Sequence, residues 1–182
     1  MKETKVLVTY ATMSGSTQEI AEFVSQELKS LGMVVEVHPT REVTDLKEYS
    51  VVILGAPLYM FRMHKDAVRF LKQHQKQLVD IPVAVFAGGP YGPNATEDAV
   101  EVRKNLESEL DKFEWLKPIS LQLVGGRFDS ARLRFPYNLI PALKGAPASD
   151  MRDWAEIQAW VNSLPGLFAA NTASSAEERR VR

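Results

Sequence analysis

Short apolar segments alternate with longer amphipathic segments along most of the chain. The apolar segments, at 5–8, 33–37, 51–55, 82–87 and 119–124, have the length and β-branched content of strands. Between them, apolar residues recur every three or four positions, which predicts helices. Because strands and helices alternate, the pattern predicts an α/β fold: a doubly wound, five-stranded parallel sheet with helices on both faces.

The end of the chain has a different composition. After Pro165 the sequence becomes rich in Ala, Ser, Glu and Arg, and such segments bury little apolar surface. The length of 182 residues is that of one domain. The sequence therefore predicts a single domain over 1–165 and a disordered tail over 166–182.

The loop after the first strand has the composition of a phosphate-binding loop. It joins a strand to a helix and consists of Thr12, Met13, Ser14, Gly15, Ser16 and Thr17. Free backbone N–H groups and hydroxyls at a helix N-terminus favour an anion. No Lys or Arg lies between Lys5 and Lys29, so we expect the loop to hold its phosphate with neutral donors alone.

Two further loops leave the same edge of the predicted sheet, where ligands of such folds bind. The loop after the third strand is apolar and aromatic, with Pro57, Leu58, Tyr59 and Met60. The loop after the fourth strand is rich in glycine, with Gly88, Gly89, Pro90, Tyr91 and Gly92. A flat ring system could stack on Tyr59 or Tyr91 while backbone amides approach its edge. Either tyrosine could instead be a packing residue. With the phosphate loop, these loops predict bound flavin mononucleotide (FMN).

Composition excludes several other classes of protein. The net charge of −1 argues against nucleic-acid binding, and the absence of cysteine removes disulfides and thiolate metal sites. The three histidines are scattered, so no metal site is expected. The first loop has neither Gly-Lys-Ser/Thr, the motif of nucleoside triphosphate sites, nor Gly-x-Gly-x-x-Gly, the motif of dinucleotide sites. With no leading apolar segment and no stretch of ~20 apolar residues, we expect a cytoplasmic protein.

The first strand and its loop resemble the flavodoxin family. The family's motif, aromatic-x-Ser/Thr-x-x-small-x-Thr-x-x-x-Ala, is matched by Tyr10, Thr12, Gly15, Thr17 and Ala21. Thr9 departs from it, since the family has an apolar residue there. The resemblance implies strand order 2-1-3-4-5, FMN with its phosphate on the first loop, and its rings between the other two loops.

Within that family the chain is similar to the flavodoxin-like, menaquinone-dependent protoporphyrinogen dehydrogenases. In these the loop after the third strand runs into a helix that starts with a histidine, here His64, and an insertion follows the fifth strand, here 127–147. A late Asp-Trp helix is matched by Asp153 and Trp154. The resemblance implies protoporphyrinogen IX as electron donor and a quinone as acceptor. The insertion departs from these proteins, which hold a longer and more basic aromatic segment there.

The insertion has four basic residues, Arg127, Arg132, Arg134 and Lys144, against the single acid Asp129, and aromatic and aliphatic residues lie among them. One interpretation is a surface over 127–144 for a hydrophobic anionic partner or for peripheral contact with the inner face of the membrane. The other is a lid over the sheet edge or a homodimer contact. The sequence leaves both open.

Two classes of function remain. The first is an FMN-dependent oxidoreductase that passes electrons from a reduced organic substrate to a quinone. In this case the cofactor supplies the chemistry, and the sequence assigns no catalytic side chain. The second is a flavodoxin-type electron carrier between protein partners. Such carriers are strongly acidic, which steers them onto basic partners, and the net charge of −1 favours the enzyme.

Overall fold

The computed structural model describes residues 4–59, 61–89 and 95–181. Its strands are β1 (Lys5–Tyr10), β2 (Val34–Pro39), β3 (Val51–Gly55), β4 (Leu58–Tyr59), β5 (Arg62–Met63), β6 (Val83–Ala87), β7 (Ser120–Leu123), β8 (Arg127–Phe128) and β9 (Ser149–Asp150). Its helices are α1 (Ser16–Ser30), α2 (Lys65–Leu78), α3 (Ala95–Leu110), α4 (Pro141–Lys144) and α5 (Trp154–Val181). Short 3₁₀ helices lie at Thr40–Glu42, Ser130–Arg132 and Tyr137–Leu139.

Within the described residues, five strands form one parallel sheet in the order β2-β1-β3-β6-β7. Numbered along the chain, the sheet strands have the order 2-1-3-4-5, so the predicted topology is confirmed. The central strands β3 and β6 are buried at every position, as their uninterrupted apolar sequence predicts for strands covered on both faces.

The sheet separates two apolar cores because side chains alternate along each strand. Leu7 of β1 packs in the core that contains Phe70 of α2 and Leu106 of α3. The adjacent Val8 belongs to the opposite core, with Ile20 of α1 and Ile157 of α5. Helices α2 and α3 therefore cover one face, and α1 and α5 cover the other.

Two small hairpins extend beyond the main sheet. Strands β4 and β5 pair antiparallel in the loop after β3, and β8 pairs antiparallel with β9 to close the insertion, residues 127–147. The backbone N–H of Met63 donates to Glu109 of α3 at 3.2 Å, which fixes the first hairpin against that helix. Both hairpins lie beyond the carboxyl ends of the sheet strands.

Helix α5 is longer than the sequence predicts. It runs through Pro165 to Val181, and Phe168 is buried in the same core as Ile157 and Leu164. The prediction of a disordered tail over 166–182 is therefore wrong for residues 166–181, which are helical. Proline within a helical pattern usually ends the helix, and here the packing of Phe168 supports its continuation. Among the described residues, no helix is both long and apolar enough to cross a membrane.

Candidate functional site

The three loops singled out in the sequence leave the sheet at one level. In the register of the sheet, Tyr10 at the end of β1 lies beside Pro39 of β2 and Gly55 of β3. Gly55 is paired in turn with Phe86 near the end of β6. The carboxyl edge of the sheet therefore brings together the segments that follow β1, β3 and β6.

The first loop is shaped to present donors to an anion. Gly15 adopts a left-handed conformation with φ of 91° and ends the loop as the N-cap of α1. Its N–H donates to Thr12 Oγ1 at 2.8 Å, which closes the loop on itself. Toward the rest of the described chain, the N–H groups of Ser16, Thr17 and Gln18 make no hydrogen bond. These free donors at the positive end of the α1 dipole are the features that favour a phosphate.

A second glycine brings this loop close to the sheet. A Cβ atom on Gly55 would lie 2.7 Å from Phe86 Cζ and 2.8 Å from Thr17 Cγ2, distances that packed side chains do not tolerate. The missing side chain lets the start of α1 approach β3, where Thr17 is buried. This contact sets the position of the phosphate loop relative to the loop that follows β3.

The loop after β3 is the hairpin β4–β5. Pro57, just before the hairpin, and Leu58 of β4 are buried, and Tyr59 is partly exposed. Phe61 at its tip has φ of 64° and is 62% exposed, an uncommon conformation for a bulky residue. Such a conformation in a loop beside a binding site is typical of functional positions. Met60, a predicted cofactor contact, lies outside the described residues.

The loop after β6 is described only at its beginning. Gly88 and Gly89 are buried, and Gly89 has φ of 135°. Pro90, Tyr91 and Gly92 lie outside the described residues, so stacking on Tyr91 stays a prediction. Tyr59 contacts protein rings in this structure: the ring centroids of His64 and Tyr137 lie 5.9 and 6.5 Å away.

The insertion lies directly on the phosphate loop. The backbone N–H of Arg134 donates to the carbonyl of Met13 at 2.9 Å. Arg134 Nη2 lies 3.3 Å from the position that a Cβ of Gly15 would occupy, and it donates to Gln18 Oε1 at 2.9 Å. The fold therefore brings a cation from far along the chain to the loop, while the expectation that neutral donors alone hold the phosphate stays a prediction. No local motif could reveal this contact.

The other arginines of the region surround one carboxylate. Glu19, in the first turn of α1, forms ion pairs with Arg127, Arg132 and Arg152 at 3.2, 2.7 and 2.7 Å. Burial disfavours the charged form of Glu19, but hydrogen bonds from Arg152 and Arg132 outweigh it and hold its pKa below the ordinary value. Arg152, whose side chain is 5% exposed, also pairs with Asp150 at 2.7 Å. These ion pairs connect the insertion and the segment after β9 to α1.

A buried histidine joins the hairpin to the insertion. His64 is the N-cap of α2, and its Nδ1 accepts from the N–H of Asp66 at 3.1 Å. Since Nδ1 is an acceptor, Nε2 carries the hydrogen and donates to Tyr137 Oη at 3.1 Å. Burial lowers the pKa of His64, with Asp66 opposing it, and burial raises the pKa of Tyr137. Both groups are therefore neutral near pH 7.

A cleft of about 330 Å³ opens between the phosphate loop, the end of β2, the start of α2 and the insertion. Its lining consists of Tyr10, Ala11, Thr12, Pro39, Thr40, Arg41, His64, Lys65, Asp66, Arg69, Arg134, Phe135, Pro136 and Tyr137. Arg41, Lys65 and Arg69 form no ion pair with any residue that the structure describes. The cleft thus combines three cations that form no ion pair within the described chain with the carboxylate of Asp66 and with aromatic rings. Sequence reading missed this combination because its residues are far apart in the chain.

Comparison with known proteins agrees with the fold. The flavodoxin domain family matches residues 7–139, and the chain belongs to the flavodoxin family. It is 22% identical over 174 residues to a protein named protoporphyrinogen IX dehydrogenase [quinone] of Escherichia coli (strain K12), covering 90% of this chain and 96% of that protein.

Solved structures share the fold. Oxidised flavodoxin 1 of Bacillus cereus superposes with a TM-score of 0.54 at 18% identity, covering 92% of this chain and 98% of that one. Rubredoxin oxygen:oxidoreductase of Desulfovibrio gigas superposes with a TM-score of 0.53 at 12% identity, and the match covers 94% of this chain and 38% of that longer one.

A flavodoxin domain implies FMN as its cofactor, and the residues present fit that cofactor. The free N–H groups at Ser16, Thr17 and Gln18 and the left-handed Gly15 suit a phosphate. The hydroxyls of Ser14 and Ser16 form no hydrogen bond within the described chain, so they also remain available. Among the described residues, no group of three or more histidine, aspartate or glutamate side chains could hold a metal ion.

Proposed function

We propose that this protein is an FMN-dependent oxidoreductase that passes electrons from a reduced organic acid to a quinone, with protoporphyrinogen IX as the substrate to test first. Each turn would remove two electrons and two protons from the substrate and deliver them to the quinone, which becomes the quinol. Membership of the flavodoxin family and the likeness to the protein named protoporphyrinogen IX dehydrogenase [quinone] support this proposal.

Bound FMN would supply the redox chemistry, and the chain would bind and orient it. Thr12, Met13, Ser14, Gly15, Ser16 and Thr17 would hold the phosphate. Pro57, Leu58, Tyr59 and Met60 would contact one side of the ring system, and Gly88, Gly89, Pro90, Tyr91 and Gly92 would approach the other. Both neutral partners of the His64–Tyr137 pair suit hydrogen bonding to an uncharged carbonyl or hydroxyl group in the cleft.

The cleft is the observation that favours an enzyme over an electron carrier. Carriers steer onto basic protein partners with acidic surfaces, whereas Arg41, Lys65 and Arg69 surround this cleft without neutralising partners in the described chain. Protoporphyrinogen IX is a large apolar ring with two carboxylates. The cations would bind its carboxylates, and the aromatic rings of Tyr10, Phe135 and Tyr137 would contact its body.

This proposal is tested by replacing the cleft cations. The FMN-loaded protein is titrated with protoporphyrin IX, the stable oxidised form of the substrate, and ring fluorescence is followed. We expect the triple variant Arg41→Gln/Lys65→Gln/Arg69→Gln to bind it at least about tenfold more weakly. The dimethyl ester, which lacks the charges, should bind the variant and the wild type equally.

A matched control removes three exposed cations elsewhere. Lys72, Lys76 and Lys104 are exposed, lie on α2 and α3, and have no ion pair within the described chain. The variant Lys72→Gln/Lys76→Gln/Lys104→Gln should keep wild-type affinity. Equal losses in both triple variants would show a nonspecific effect of net charge and would contradict binding in the cleft.

A further inference from the structure

We propose that Arg134 of the insertion is a phosphate-binding residue that supplies the positive charge missing from the loop 12–17. The insertion then acts as a cationic lid on the phosphate end of the cofactor. This inference rests on the FMN binding in the proposed function. Arg134 lies far outside the sequence motif of the phosphate loop, so the motif alone does not indicate this role.

The position of Arg134 is fixed by two contacts to the loop and to α1. Its backbone N–H donates to the carbonyl of Met13, and its Nη2 donates to the side chain of Gln18. Between these anchors the guanidinium passes beside Gly15, the residue at the mouth of the loop. A side chain on Gly15 would displace it, since Nη2 lies 3.3 Å from the position of the missing Cβ.

Arg134 forms no ion pair within the part of the chain that the structure describes, and its hydrogen-bond acceptor Gln18 is neutral. Its neighbours differ in this respect: Arg127, Arg132 and Arg152 all form ion pairs with Glu19. A neutral acceptor holds the guanidinium in place and leaves its positive charge available to an anion.

The same arrangement removes an obstacle to phosphate binding. Glu19 lies in the first turn of α1, where an unpaired carboxylate would repel an incoming phosphate. Ion pairs with three arginines neutralise it, and the remaining carboxylate of the cluster, Asp150, pairs with Arg152. Glu19 is thus paired, and the guanidinium of Arg134 beside Gly15 adds to the field of the helix dipole.

The proposal predicts a difference between two flavins that share the same rings. FMN carries the phosphate and riboflavin lacks it. Loss of Arg134 should therefore weaken FMN binding alone. Because Arg134 is exposed, the loss should shrink as salt screens the charge.

The experiment titrates flavin-free protein with FMN and with riboflavin, followed by quenching of flavin fluorescence, at low and at high salt. We expect Arg134→Gln to bind FMN about tenfold more weakly at low salt and to bind riboflavin as the wild type does. Arg134→Lys keeps the charge and should retain most of the FMN affinity. Lys144→Gln removes an exposed cation of the same insertion that has no ion pair among the described residues, and it should leave both affinities unchanged.

Three results would overturn the assignment. Unchanged FMN affinity in Arg134→Gln would show that the phosphate does not use this charge. Equal losses for FMN and riboflavin would show that Arg134 only keeps the insertion packed on the loop. A wild-type protein that binds riboflavin but not FMN, or neither, would contradict the proposed function itself and this inference with it.

Discussion

At the scale of single residues, His64 shows how a helix terminus and burial fix the state of one side chain. Its Nδ1 caps α2 and its Nε2 donates to Tyr137, so the ring is held in one tautomer. Sequence reading predicted a helix start at His64, and the capping contact confirms this. It could not predict the bond to Tyr137, because the two residues are 73 positions apart.

Replacing His64 should change how stability depends on pH. The folded protein holds His64 neutral with a lowered pKa, whereas in the unfolded chain histidine titrates near pH 6.5. Its protonation in the unfolded state therefore removes stability as the pH falls below about 6.5. His64→Asn keeps a capping side chain and should lose less stability than the wild type between pH 7.5 and about 5.5.

Urea unfolding of both proteins at the two pH values measures this difference. Lys65, Asp66, Tyr59 and Tyr137 are charged or titratable groups near the ring, and all four are unchanged in His64→Asn. The same loss of stability in both proteins would contradict the assignment of a neutral, buried histidine.

Two threonines of the phosphate loop should contribute to FMN binding. Thr12 closes the loop through Gly15, and Thr17 lies at the first turn of α1. Thr12→Ala with Thr17→Ala removes a loop-closing acceptor and a hydroxyl donor, so FMN affinity should fall at least about tenfold. Ser30→Ala at the other end of α1 is the control. Unchanged FMN affinity in the double variant would remove these residues from the phosphate site.

At the scale of elements, the helix α1 and the insertion depend on each other. The arginines of the insertion and of the segment after β9 converge on Glu19 of α1. Of the two interpretations left open by the sequence, this ion-pair cluster favours a lid for the arginine-rich part of the insertion. The apolar part, around Phe135, Leu139 and Ile140, is still exposed.

Removing the central carboxylate should loosen this connection. Glu19→Gln leaves Arg152, whose side chain is 5% exposed, with Asp150 alone, and should lower the free energy of unfolding by about 1–2 kcal/mol at pH 7. The pKa of Glu19 is lowered, so its contribution is complete above its ordinary pKa of ~4.3 and is lost as the pH falls through the lower folded value.

The stability gap between wild type and Glu19→Gln should therefore narrow as the pH is lowered from 7 to about 3. Urea unfolding at these pH values measures it. Asp45→Asn is a control, since among the described residues this exposed aspartate accepts only a local hydrogen bond, from the backbone N–H of Lys47. A gap that persists unchanged at low pH would show that the ion pairs of Glu19 do not stabilise the fold.

The elements themselves were largely predictable, because each follows from a local pattern. Apolar strands, helix periodicity and the Thr-Ser-Gly loop are properties of neighbouring residues, and the strand order followed from the family resemblance. The cationic lid and the cleft were not predictable, since Arg41, Arg69 and Arg134 meet only after folding. Helix α5 continued past Pro165 because Phe168 packs in the core, a contact that local composition does not show.

At the scale of the whole molecule, the distribution of surface groups suggests where partners bind. The unpaired cations of the cleft and the exposed apolar residues of the insertion lie on the same side, beyond the carboxyl edge of the sheet. Phe135 is 77% exposed although it also lines the cleft. We propose that this side faces the inner surface of the membrane, from which a quinone would reach the site.

Vesicle binding tests the membrane contact. Phe135→Ser/Leu139→Ser/Ile140→Ser removes exposed apolar side chains from the insertion and should reduce binding to vesicles that contain anionic lipid several-fold. The control Leu31→Ser/Val79→Ser/Val100→Ser changes equally exposed apolar residues elsewhere and should have no effect. Unchanged vesicle binding together with a loss of self-association would favour a homodimer contact instead.

Reoxidation by a quinone tests directly whether this protein is an enzyme that reduces quinones. The FMN-loaded protein is photoreduced without oxygen and then mixed rapidly with a menaquinone analogue while the flavin absorbance is recorded. We predict full two-electron reduction and rapid, direct return to the oxidised flavin, as an enzyme that reduces quinones requires. A stable one-electron form during photoreduction and slow oxidation by the quinone would contradict the proposed oxidoreductase and indicate an electron carrier.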